Sequence, residues 1–211
     1  MFFSIDGGDG AGKSTQLERF CQWLRDRGHA VATFRDPGST GVGEAVREIL
    51  LHRHDLAIDR RSEMLLYMAA RAQMVQQCIR PALDEGKTVV TDRYLLANVV
   101  YQGHAGGLDV DTLWEVGRVA TGGLMPDLTL VLDMPAEAAA ARLGRELDRM
   151  ERQGAEFHAR VREGFLFEAA RQPDKIVVID AGRPIELVQA DLRAAAQRVL
   201  DRTACPRGND S

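Results

Sequence analysis

Apolar residues along this chain fall into two rhythms. Short, mainly apolar runs at 2–5, 30–34, 88–91, 128–132 and 175–179 have the length of strands buried on both faces. Between them, segments 14–27, 44–51, 62–85, 111–121 and 185–200 read as amphipathic helices. Pro81 lies inside the third of these, where its ring and missing N–H predict a kink or an end. Alternation of this kind predicts an α/β fold, a parallel five-stranded sheet with helices on both faces. Ligands of such sheets sit at the carboxyl ends of the strands. Neither a repeat nor a linker interrupts 1–202, which reads as one domain. Residues 203–211 are polar, with Pro206 and Gly208, and read as a frayed tail.

Composition narrows the class. A chain of 211 residues suits a single domain with a sizeable core. The net charge of −4 leaves no basic footprint for nucleic acid, yet arginines crowd between Arg142 and Arg171 and predict a local patch for phosphates. Cys21, Cys78 and Cys205 lack paired spacing, which fits reduced thiols in a cytoplasmic protein. The chain has no apolar run of about 18 residues, so no membrane span is expected. The first strand runs straight into a functional motif, which argues against a cleaved signal peptide.

That motif is Gly7-Gly8-Asp9-Gly10-Ala11-Gly12-Lys13-Ser14, followed by Thr15. It fits the phosphate-binding pattern G-x-x-x-x-G-K-[ST] and lies between a strand and a helix, as the pattern requires. Glycines let N–H groups turn toward phosphate oxygens, and the helix start adds partial positive charge. Lys13 can reach the outer phosphates of a nucleoside triphosphate, and the Ser14 hydroxyl can ligate Mg2+. A glycine-rich turn that binds nothing is the bland alternative, and the strand–loop–helix setting argues against it.

Other strand ends carry charge. Asp92 follows the third strand and is placed to hold Mg2+ through water. Arg93 beside it reads either as an ion pair with a neighbouring acid or as a grip on a second phosphate. Arg35 occupies the equivalent place after the second strand, and together the two arginines suggest a second phosphorylated ligand. Tyr67 and Arg71 share a helix face. Spacing alone leaves them as a core tyrosine with a surface arginine, the commoner case, or as a ring and guanidinium aimed at a nucleobase. The charged run Glu146–Glu151, among Arg142, Arg145, Arg152, Arg160 and Arg162, reads as a solvated helix or as a lid over transferring phosphates.

In this order the motifs resemble those of the thymidylate kinases from about residue 2 to residue 198. The resemblance rests on Phe2 to Thr15, Phe34-Arg35-Asp36-Pro37-Gly38, Ala70-Arg71-Ala72-Gln73 and Asp92-Arg93-Tyr94. It continues in Tyr101-Gln102-Gly103, Pro126 to Asp133 and Asp148-Arg149-Met150-Glu151. It implies a P-loop NTPase fold with a short lid at about 141–155. It also implies phosphoryl transfer from ATP to dTMP, with Mg2+, in a homodimer packed through helices. Gly7 to Thr15 would hold ATP, with Ser14 and Asp92 at the metal. Asp9 would face the acceptor nucleotide, and Arg35 and Arg93 would grip its phosphate. Tyr67 would stack on thymine, Arg71 would bond its O4, and Tyr101 would exclude a 2′-hydroxyl. Asn98 and Gln102 complete the acceptor set. Gly10, where some members carry arginine, resembles the bacterial arrangement that relies on lid arginines, here Arg145 and Arg149. Leu96-Ala97-Asn98 replaces the family's usual Asp-Ser-Ser or Asp-Ser-Thr, and Asp6 and Asp36 stand where glutamate is usual. A kinase for another monophosphate such as dUMP, or a non-enzymatic nucleotide switch, are the alternatives; no N-K-x-D guanine reader is present.

Overall fold

The computed structural model describes residues 1–140, 148–150 and 152–204. Strands β1 (Phe2–Gly7), β2 (Val31–Arg35), β3 (Thr88–Asp92), β4 (Leu128–Asp133) and β5 (Ile176–Asp180) pair in parallel, in the order β2-β3-β1-β4-β5. The chain starts in the centre, builds outward to β2, returns to β3 and then crosses β1 to reach β4. That reversal places the end of β1, where the glycine loop begins, at the switch point where such sheets bind ligands.

Around the sheet lie α1 (Lys13–Asp26), α2 (Gly41–Leu51), α3 (Arg60–Met74), α4 (Arg80–Asp84), α5 (Leu95–Asn98), α6 (Val110–Thr121), α7 (Ala136–Ala140), α8 (Ala155–Arg171) and α9 (Ile185–Ala204). Alternate strand residues feed opposite layers. Phe3 and Ile5 join Phe20 and Leu24 of α1 and Val188 and Leu192 of α9. Phe2 and Val89 join Met68 of α3, Leu95 and Leu113 on the other side. Burial on both faces explains why the strands read as mainly apolar runs.

Helix starts follow from local chemistry. Thr40 accepts a hydrogen bond from the Gly43 N–H at 2.8 Å and opens α2, and Asp59 accepts from the Arg61 N–H at 2.9 Å and opens α3. By contrast, α1 begins at Gly12, whose φ of 85 is left-handed, without a side-chain cap or a first-turn acid. Its leading N–H groups therefore face outward with the positive end of the helix, the arrangement that receives an anion.

The structure modifies three expectations. Pro81 does not end the 62–85 helix. A π turn at Val75–Ile79 joins α3 to α4, with the Arg80 N–H donating to Val75 O, and this widening moves the carbonyl that the proline ring would strike. A second widened turn, Val99–His104, continues α5 and carries Tyr101 and Gln102; periodicity had not marked this segment as helical. The last helix runs to Ala204, so residues 203 and 204 belong to it and not to a tail, while 205–211 lie outside the described residues.

Candidate active site

At the end of β1 the main chain does most of the shaping. Gly10 has φ of +83, and a Cβ there would lie 2.2 Å from Ala139 O of α7. Only glycine fits, and the loop is pressed against the helix that leads into the lid segment. Lys13 Nζ donates to Gly8 O at 2.7 Å and Gly7 O at 3.2 Å, and lies 3.8 Å from Asp9. Burial and the nearby Arg93 charge push the Lys13 pKa down to about 8, against the pull of Asp9, Asp92 and Asp6. Ser14 and Thr15 stand exposed at the loop's exit and line the cleft. Gly7 and Gly8 do not line it; their carbonyls hold the lysine.

Asp92 also lines the cleft, and its Oδ1 is buried without a hydrogen-bond partner. An unpartnered carboxylate oxygen lining the same cleft as the Ser14 hydroxyl suits Mg2+. Among the described residues no cluster of three or more metal-binding side chains occurs, so phosphates and water would supply most ligands.

Arg93 sits at φ of 66, a left-handed conformation that costs a non-glycine residue about 1 kcal/mol. Its contacts hold it there. Nη1 donates to Gly7 O at 2.9 Å and Nη2 to Asp9 at 2.5 Å, while the guanidinium lies 5.0 Å above the Tyr101 ring. The Tyr101 hydroxyl donates to the other Asp9 oxygen at 2.8 Å. Burial works to raise the Asp9 pKa, but Arg93, Lys13 and Tyr101 together hold it at about 2. Arg93 thus makes the ion pair and still lines the cleft. Arg35, half exposed, pairs with Glu44 at 3.2 Å and reaches the same wall.

Farther along the cleft, the usual reading of Tyr67 and Arg71 is inverted. Arg71 is 1% exposed, whereas Tyr67 is only partly buried and faces the cleft. Arg71 Nε donates to Asp36 Oδ2 at 2.5 Å, Nη1 to Asn98 Oδ1 at 3.1 Å and Nη2 to Tyr94 O at 3.4 Å. Burial pushes the Asp36 carboxyl up in spite of Arg71. Asn98 Nδ2 donates to Gln102 Oε1 at 2.7 Å, and Gln102 Nε2 to Glu63 Oε1 at 2.8 Å. The cleft therefore meets an arginine donor beside an asparagine carbonyl.

Of the two lid arginines, Arg145 lies outside the described residues. Arg149 does not line the cleft; Glu63 and the Leu50 carbonyl, 2.7 Å from its Nε, hold its guanidinium. Sequence reasoning passed over Arg47, which lines the cleft and donates to Pro37 O at 3.1 Å. It also passed over Ala181-Gly182-Arg183-Pro184. The second group follows β5, and the strand-end rule that exposed the other loops would have found it. One cleft of about 1090 Å³ joins the residues named as lining it, from Asp9 and Lys13 to Tyr67, Arg71 and Asn98.

Known proteins resemble this chain in sequence and in fold. The family model described as thymidylate kinase matches residues 5–192. A thymidylate kinase of Rhodopirellula baltica is 47% identical over 191 residues, covering 90% of this chain and 78% of that one. One from Symbiobacterium thermophilum is 44% identical over 203 residues, covering 96% and 95%. A crystal structure of thymidylate kinase from Ehrlichia chaffeensis superposes with a TM-score of 0.76 at 27% identity, covering 93% of this chain and 98% of that one. With the family's sequence features over nearly its whole length and the fold of a solved relative, this chain belongs to the thymidylate kinase family.

Proposed function

We propose that the protein transfers the γ-phosphoryl group of ATP to dTMP, giving dTDP and ADP. The observation that carries this reading is the single cleft with two unlike ends, a phosphate-binding loop at one and a side-chain pocket for a base at the other. The Arg71 donor beside the Asn98 carbonyl matches O4 and N3–H of thymine and mismatches cytosine, which offers a donor and an acceptor in reverse.

In this reading an oxygen of the dTMP phosphate attacks the γ-phosphorus while the bond to the β–γ bridging oxygen breaks and ADP leaves. That oxygen is largely ionised, since a phosphomonoester's second pKa is about 6, so no strong base is needed. Positioning and charge carry the reaction. Lys13 and the loop amides hold the donor phosphates. Arg93 and Arg35 hold the acceptor phosphate, and Asp9 keeps Arg93 in place. Tyr101, fixed by Asp9, closes the space beside the sugar. Ser14 and Asp92 would hold Mg2+, which neutralises charge on the transferring phosphates. Because Arg149 is committed to Glu63, Arg145 is the lid arginine left for those phosphates. A homodimer packed through helices belongs to the reading, supported by the exposed Leu65 of α3 and Val119 of α6. So does a cytoplasmic location: no described helix is long and apolar enough to cross a membrane, and Cys21 and Cys78 are free thiols.

An ADP-release assay across a panel of monophosphates tests the reading. The expected order is dTMP, then dUMP, with dCMP at least about tenfold lower because a buried polar group left unpaired costs roughly 1–3 kcal/mol, and UMP below dUMP because Tyr101 closes the space its 2′-hydroxyl would need. Equal rates on dTMP and dCMP would defeat it.

A further inference from the structure

Glu168 of α8 is fully buried, and no step of the transfer uses it. A carboxylate in that position needs donors on both oxygens. His104 Nε2 lies 2.8 Å from Oε1, and because a carboxylate only accepts, that nitrogen is the donor. Trp114 of α6 donates through Nε1 to Oε2 at 3.3 Å. Arg171, at the end of α8, donates through Nη1 to Oε1 at 3.5 Å and lies 3.8 Å from Asp111 of α6. One carboxylate thus joins α6, α8 and the widened turn Val99–His104, whose last residue is His104.

That turn also carries Tyr101, and α8 bears on it at several points. Phe157 and Phe165 stand edge-on to the Tyr101 ring, with centroids 6.2 and 6.3 Å away. Arg160 Nε donates to Ala105 O at 3.3 Å, just past the turn. At Gly164, one helical turn before Glu168, a Cβ would lie 2.7 Å from His104 Cβ and 3.1 Å from Val100 Cγ1. Helix backbone meets side chain there with no room between. Widened turns are rare, and where they occur they often serve a functional site. This one is held from outside by α8. The Tyr101 hydroxyl is fixed by Asp9 at 2.8 Å, so its two ends are held by different parts of the molecule.

We propose that Glu168 is a positioning residue for the sugar of the acceptor nucleotide. It does not line the cleft itself. By holding His104 and Trp114 against α8 it fixes the widened turn, and the turn fixes the Tyr101 ring beside the sugar. Its loss lets that ring yield to a 2′-hydroxyl. The inference rests on the reading of Tyr101 as the residue that closes the space beside the sugar.

Steady-state ADP release on dTMP and on 5-methyluridine monophosphate, which differs from dTMP by the 2′-hydroxyl alone, tests it. The ratio of the two kcat/KM values does not depend on how much of a variant is folded, so a merely stabilising role would not move it. The unaltered protein should prefer dTMP by at least about tenfold. Glu168→Leu keeps much of the side chain's volume and removes both acceptors. It should bring the preference below about threefold, with KM for ATP changed by less than about twofold. His104→Leu should do the same, and the double variant should lose no more preference than either single one. His104 is partly exposed, and His104→Leu is the deciding variant if Glu168→Leu does not fold. Preference that survives in these variants while both rates fall together, or losses that multiply in the double variant, would overturn the proposal and leave the sugar reading standing. An unaltered protein that uses both nucleotides alike defeats the sugar reading and the proposal with it, while release on dTMP still upholds the kinase. No release on dTMP defeats all three.

Discussion

The two ends of the cleft are built from different materials. The donor end is main chain. Glycine conformations, the uncapped start of α1 and carbonyls that park Lys13 give it shape, and Asp9 is the loop side chain that ties it to Arg93 and Tyr101. The acceptor end is side chain upon side chain. Asp36, Arg71, Asn98, Gln102, Glu63 and Arg149 form one buried hydrogen-bonded series drawn from a loop, two helical segments and the end of the lid. A phosphate is nearly the same in every nucleotide, so backbone N–H groups suffice for it. A base is recognised by its particular edge, and that requires side chains whose own orientation is held by others.

The sharpest way to break this comparison is Lys13→Ala. If the donor end acts through focused charge, turnover should fall by about 10³-fold or more while dTMP affinity changes little, because Lys13 is held by Gly7, Gly8 and Asp9 whereas Arg71 is held by Asp36, Asn98 and Tyr94. Single-turnover kinetics with separate dTMP binding measurements read both quantities. Normal turnover would remove Lys13 from the mechanism, and a large loss of dTMP affinity would show that the two ends are not separately built.

The same difference explains what could be read from sequence. The donor end is local, and eight consecutive residues with a strand before and a helix after made it legible. The acceptor end is scattered between positions 36 and 149. Tyr67 and Arg71 could be paired by helical spacing, but spacing could not say that the arginine is the buried partner. Helical periodicity assumes that charge faces water, and Asp36 overturns that assumption by following Arg71 inside. Glu63 carried no signal at all, since an acid in a first helical turn normally serves the helix dipole. The strands were legible because both their faces are buried. The 95–104 segment was not, because its widened turn departs from the 3.6-residue repeat. In α8, Phe157, Val161, Phe165 and Ala169 recur every fourth residue and are buried, but arginines and glutamates between them hid the stripe.

A second test acts on the donor loop's shape. Gly10→Ala puts a methyl group against Ala139 O in a backbone conformation alanine resists. The expected cost is about 1–3 kcal/mol, a fall of a few degrees in Tm, and about a tenfold loss of kcat as α7 is displaced. A variant with unchanged Tm and kcat would mean that the loop and α7 move apart freely. It would also reopen Gly10 as a position where an arginine fits.

The smallest expected effect concerns protons, and it separates the two ends most finely. Lys13 titrates near 10.5 in the unfolded chain and near 8 in the fold, because burial and Arg93 disfavour its charge. Between those values the unfolded chain holds a proton that the folded chain has released, so this group's contribution to stability is full above 10.5 and is lost as pH falls through 8. Asp9 behaves alike in acid. Its contribution is full above 3.8 and is lost as pH falls through about 2. Nucleotide phosphates add the negative charge that Lys13 lacks, so binding should draw a proton onto it. At pH 8 about half the lysines are uncharged before ATP arrives, and calorimetry in buffers of different ionisation enthalpy should find uptake approaching about half a proton per site. Lys13→Arg, charged throughout this range, should take up none. Binding of dTMP alone at the same pH should be nearly proton-neutral, since its base meets Arg71 and Asn98. Heats that do not depend on buffer in the unaltered protein would mean that Asp9 and Asp92 already keep Lys13 fully charged. The donor end would then be as completely paired as the acceptor end, and the contrast between them would rest on geometry alone.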